Sequence, residues 1–198
     1  MRGMLLVARR DLAGYLNSMW GYAVIAAVLV IDGLLFNAFA LGNEAKFSSK
    51  VIEEFFYFSF GTTVIASILL TMRSFAEERQ TGTIVLLDSA PLADWQLVGG
   101  KYLSAMLVIA AMVLATSYMP ALVFVNGKVS YGHIAAGYLG LLLVGGAVAA
   151  IGTFASAVSR SQLVAGFASV VITVALLMMW LLAKVTDPPL VDLDRKST

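Results

Sequence analysis

Apolar residues in this chain run in long blocks that are neither alternating nor confined to one helical face. A helix rising about 1.5 Å per residue needs roughly 20 apolar residues to cross about 30 Å of hydrocarbon. Five blocks have that scale: Trp20–Leu41, Phe55–Met72, Tyr102–Val125, Ile134–Val158 and Leu163–Ala183. Their Ala/Leu/Val-rich continuity disfavours a transmembrane β-barrel, whose strands alternate over about ten residues. The first block is too long and lies too far from the start for a cleaved signal peptide. Before it, Met4–Asn17 reads as a helix with Leu5, Leu12 and Leu16 at helical spacing and Arg9, Arg10 and Asp11 between them, suited to the headgroup layer. The fold expected is all-α: a polytopic bundle with an N-terminal interfacial helix and a helical hairpin between spans 2 and 3. Residues 1–184 form one transmembrane unit, and 185–198 form a polar C-terminal tail.

Composition agrees. Sixty per cent of the 198 residues are hydrophobic, 13% are charged and mean hydropathy is +0.90, too little polar surface for a water-soluble globule. The net charge of +1 gives no general attraction to nucleic acid. With no cysteine there are no disulfides or thiolate sites, and with His133 as the single histidine there is no zinc-binding histidine pair. Positive charge beside the spans sets orientation. Arg2, Arg9, Arg10, Arg73, Arg79, Lys101 and Arg160 fall on the side of the N-terminus. The other six basic residues fall on the far side or in the tail, so a cytoplasmic N-terminus is expected.

Within the membrane Asp32 is the conspicuous charge. It should face protein or water, and either Asn37 or another helix could supply a hydrogen bond; a functional and a purely structural role both fit. The fourth span carries Gly145/Ala149 and Gly152/Ser156 at the spacing of close helix contacts, which serves packing within the chain or between subunits. Only Ser159–Gln162 separates it from the fifth span, a tight hairpin.

The polar segment Arg73–Lys101 differs from the rest of the chain. Phe75–Gln80 should continue the second span as helix, Thr81-Gly82 should break it, Thr83 can cap a short apolar helix over Ile84–Ser89, Pro91 ends that helix, and Asp94 can cap the next. The stretch F-A-E-E-R-Q-T-G-T-I-V-L-L-D-S-A-P-L, followed by V-G-G-K-Y, resembles the loop between spans 2 and 3 of ABC-2 type transporter permeases, above all the gliding-motility-associated group. The resemblance implies a permease subunit of the inner membrane that forms a homodimer or a heterodimer with another permease. It also implies a separate ABC ATP-binding subunit, which holds ATP and Mg, leaving no cofactor in this chain. Contacts with that ATPase carry over to Glu77, Glu78, Arg79, Gly82 and Thr83. The family generally has six spans, so the expectation is that a sixth was lost or lies in a longer form of the chain.

No G-x-x-x-x-G-K-[ST] occurs, so ATP hydrolysis must come from a partner. An intramembrane enzyme is the rival class, but G-x-S-x-G and H-E-x-x-H are absent and His133 sits at a span end. A non-transporting scaffold would explain the spans and leave the charged hairpin unexplained. Few intramembrane charges suit a lipidic or amphipathic cargo better than a small ion.

Overall fold

The computed structural model describes residues 2–41, 47–83, 93–126 and 130–186, and every regular element among them is helical. In chain order these are α1 (Arg2–Asn17), α2 (Met19–Leu35, running on as π-helical turns over Phe36–Leu41) and α3 (Ser48–Thr71). Then come α4 (Ala76–Gln80), α5 (Asp94–Ala115), α6 (Tyr118–Asn126), α7 (Tyr131–Val158) and α8 (Gln162–Thr186). Five helical stretches are long and apolar enough to cross a membrane: Met19–Phe39, Ser48–Gln80, Asp94–Val123, Tyr131–Val158 and Gln162–Lys184. Each begins before its hydropathy block, the second and third by seven or eight residues, because a helix does not start where its charges end. Val51 and Ile52 are buried one turn before Phe55, although Lys50, Glu53 and Glu54 surround them.

The second span is central: half of its most apolar 18-residue stretch is buried, against 17% of the corresponding stretch in the fifth. It packs on α2, α5 and α7, with α8 outside α7 and α1 lying along α5. Its inward face is polar, carrying Ser59, Thr62, Thr63, Ser67 and Thr71, all buried. Part of this face is made compatible with lipid depth by hydroxyls that turn back onto their own helix, Ser67 donating to the Thr63 carbonyl at 2.7 Å and Thr71 to the Ser67 carbonyl at 2.6 Å. Apolar packing continues above and below through Val28, Leu70, Ile109, Met112 and Leu141, and through Phe36, Phe55 and Met119.

Lipid tails are as apolar as leucine, so these helices associate by fit. At Gly152 on α7 an added Cβ would overlap the Thr71 side chain of α3, and at Gly145 it would press on Ile109. Both small-residue pairs therefore serve packing inside the chain. Gly152→Ala should destabilise the fold by about 1–3 kcal/mol through overpacking, read as a lower midpoint of thermal unfolding in detergent; an unchanged midpoint would show that the α3–α7 contact relaxes freely.

Two expectations need correction. The second span does not continue unbroken through Phe75–Gln80: α3 ends at Thr71, Met72–Phe75 is a turn, and α4 follows. Its cause is a side chain inserted into the helical ladder. Ser156 Oγ of α7 accepts from the backbone N–H of Phe75 at 2.9 Å and of Ala76 at 3.0 Å, and donates to the Met72 carbonyl at 3.0 Å. Asp94 is also not the cap of α5. Ala93 holds that position, and its N–H is met by Gln96 Oε1 at 3.4 Å, with Asp94 inside the first turn. The short helix expected over Ile84–Ser89, Pro91 and the tail beyond 186 lie outside the described residues.

Candidate functional site

Three elements meet at one end of the bundle: α1, the turn and α4 after the second span, and the first turns of α5. The approach of α1 to α5 depends on the V-G-G-K sequence. At Gly100 any side chain would strike Val7 and the Met4 carbonyl, so the two backbones touch only because that position is glycine. One residue later, Lys101 turns into the junction and is 2% exposed.

An ammonium so deeply buried needs all three N–H donors met. Lys101 Nζ lies 3.0 Å from Asp11 Oδ2 on α1, 2.9 Å from Glu78 Oε1 on α4 and 2.8 Å from the Ser74 carbonyl in the turn. The face of Phe75 closes the remaining side, with Nζ 5.0 Å from the ring centroid. Arg10 bridges the same two carboxylates from outside, Nη2 to Glu78 Oε1 at 2.7 Å and Nε to Asp11 Oδ1 at 3.2 Å. The four charges balance, so burial carries no uncompensated unit. Beside them Arg73 holds Glu77 through two N–H···O bonds of 2.9 and 2.6 Å while its guanidinium covers the Trp20 ring at 5.2 Å. Tyr15 donates to the Leu70 carbonyl at 3.0 Å. Burial, reinforced by the Asp11 and Glu77 carboxylates and opposed by Arg73, raises the Tyr15 hydroxyl above the ordinary tyrosine range and keeps it a donor.

The residues expected to contact an ATPase lie together on α4 and the turn after it, yet they differ in what they touch. Glu78 faces inward and belongs to the lysine cluster; Glu77 is held by Arg73. Arg79 is exposed, with one long contact of 3.5 Å to the Ser159 carbonyl at the α7–α8 turn. Gly82 has φ +72°, the left-handed conformation that favours glycine just past a helix end, and an added Cβ there meets nothing within 4 Å among the described residues. Thr83 is exposed beside Thr81, whose hydroxyl caps α4 by donating to the Glu77 carbonyl at 2.9 Å. Asp32 is remote from all of these, thirteen residues into α2. It is buried and accepts from Thr62 Oγ1 of α3 at 2.7 Å, while Asn37 is exposed in the π-helical turns.

A profile of the family described as ABC-2 family transporter protein matches residues 13–188, nearly the whole chain. The chain belongs to the ABC-2 transporter family. It is therefore a multi-pass membrane permease of an ABC transporter, and the match covers the second span, α4 and Lys101 alike. No curated protein shows significant similarity to it.

Sequence reasoning finds the E-E-R segment but misses Lys101, Asp11 and Ser156 as its anchors. Lys101 presents itself as an ordinary flanking charge beside a span, and Ser156 as one more small residue in a glycine-rich helix. The available signal is the V-G-G-K pattern, two glycines beside a cation at a span start, which marks a backbone approach with a charge to be met.

Proposed function

We propose that this ABC-2 permease carries out transport driven by ATP that a separate ABC ATP-binding subunit hydrolyses, with ATP and Mg held there, and that α4 with its following turn is the element this subunit pushes. The observation that carries the proposal is the Lys101 cluster. A pushed element must move the spans, and α4 is bonded through one ammonium to α1 and α5 and through Ser156 to α7. Displacing α4 as a body therefore loads three other helices at once, the property required of a rigid coupling element. Arg79, Gly82 and Thr83 present the outward surface, whereas Glu78 secures it from behind.

In this reading the N-terminus and α4 lie on the cytoplasmic side of the inner membrane. The permease works as a dimer with a second copy or a related permease, and its Arg73–Lys101 segment resembles that of the gliding-motility-associated group. A lipidic or amphipathic cargo fits the apolar spans. Asp32, bonded to Thr62, serves the α2–α3 contact. Purification of the chain from its native membrane, followed by mass spectrometry of what accompanies it, should recover an ABC ATP-binding subunit in stoichiometric amount. Recovery of a pure permease from membranes that demonstrably contain such subunits would contradict the proposal.

A further inference from the structure

Beside the lysine cluster, between α1, the start of α2 and the turn after α3, lies a cavity of about 450 Å³. Its lining carries three cations, Arg10, Arg73 and Lys101, and three anions, Asp11, Glu77 and Glu78. Trp20 and Gly14 are also part of its wall. We propose that this cavity binds the headgroup of a zwitterionic phospholipid bearing a primary ammonium, of the phosphatidylethanolamine class.

The charge pattern selects the headgroup. A lining of both signs with zero sum offers no net attraction to an anion, but it solvates separated positive and negative groups at once. The phosphate has guanidinium donors: Arg10, its side chain 56% exposed, spends two nitrogens on Asp11 and Glu78, and Arg73 spends two on Glu77. For the ammonium there is Glu77, its side chain 42% exposed. Behind it, Glu78 Oε2 is buried without a hydrogen-bond partner among the described residues, while Oε1 receives both Arg10 and Lys101. Within a lining whose formal charges sum to zero, that oxygen is the acceptor with no donor of its own, so the ammonium is favoured on its side of the wall.

A quaternary ammonium fits less well. It needs open aromatic faces, and the Trp20 face is already covered by Arg73. An anionic glycerol headgroup brings no cation to set beside the half-exposed Glu77. The acyl chains also have a place to go, since Met19, Trp20 and Tyr22 at the start of the first span expose apolar surface next to the cavity. The assignment rests on the membrane embedding of the chain and does not depend on the cargo or on the ATPase partner.

The purified full chain, incubated with an equimolar mixture of phosphatidylethanolamine, phosphatidylcholine and phosphatidylglycerol of matched acyl chains, should retain the first over the others by about tenfold, the worth of one charge-assisted hydrogen bond. Lipid retained after gel filtration is quantified by mass spectrometry. Gly14→Phe should abolish the preference by filling the cavity. It leaves the fold intact, because a Cβ at Gly14 meets nothing within 4 Å and phenylalanine is a better helix former than glycine; an unchanged elution profile confirms this. Glu77→Gln releases Arg73 and removes a negative charge, so preference should move toward phosphatidylglycerol. Water-soluble phosphoethanolamine, at a concentration equal to that of the lipid, should leave the lipid bound. Equal retention of all three lipids, undiminished preference in Gly14→Phe, or full displacement by the soluble headgroup would each overturn the assignment.

Discussion

Replacing Lys101 by methionine should cost this protein about 3–5 kcal/mol, the usual consequence of removing one partner from a buried ion cluster. Methionine matches the length of the lysine stem, so the loss is electrostatic. Asp11 and Glu78 would retain Arg10 alone, and the buried Ser74 carbonyl would lose its donor. Against a total stability of order 5–15 kcal/mol this is a large fraction, visible as loss of monodisperse protein on extraction and a strongly lowered unfolding midpoint. The combined variant Lys101→Met, Asp11→Asn, Glu78→Gln should recover part of the loss, because the stranded charges are gone. Wild-type stability in Lys101→Met alone would show that the cluster contributes nothing to the fold.

The spans were legible because their signal is local: twenty consecutive apolar residues state their own length. The break after Thr71 was not. Nothing in M-R-S-F-A-E-E-R interrupts a helical pattern, and the agent, Ser156, arrives from 80 or more residues along the chain. Helix propensity favours continuing, but one inserted hydroxyl satisfies two N–H groups elsewhere and removes the advantage. The same separation governs the site. Gly82 could be placed by rule, since the end of a helix asks for a left-handed residue, and the structure gives it φ +72°. That Glu78 faces inward depends on Lys101 and Arg10, which are adjacent to it only after α1 folds along α5. Two neighbouring glutamates of identical chemistry thus play different parts, and spacing alone does not distinguish them.

That division decides how coupling is tested. Glu78 is a poor probe, because its removal would disturb the lysine cluster and confound lost contact with lost structure. Arg79 and Gly82 are clean. Arg79 is exposed and its one side-chain hydrogen bond among the described residues is long, so Arg79→Glu changes the outward charge and little else. At Gly82 there is space for a side chain but no tolerance for a β-branched residue at positive φ. Gly82→Val should therefore redirect the turn, while Gly82→Asn, which accepts the left-handed conformation, should be silent. Neither position touches the apolar packing, so membrane insertion should stay at the wild-type level in all three variants.

The decisive measurement is capture of the ABC ATP-binding subunit by each variant in the intact complex, together with the permease-stimulated ATPase rate. Arg79→Glu should weaken capture by about tenfold or more, as charge reversal at a contact does, and Gly82→Val should lower stimulated turnover with Gly82→Asn unaffected. Capture and stimulation at wild-type levels in both Arg79→Glu and Gly82→Val would contradict the assignment of α4 and its turn as the element through which ATP hydrolysis drives this permease.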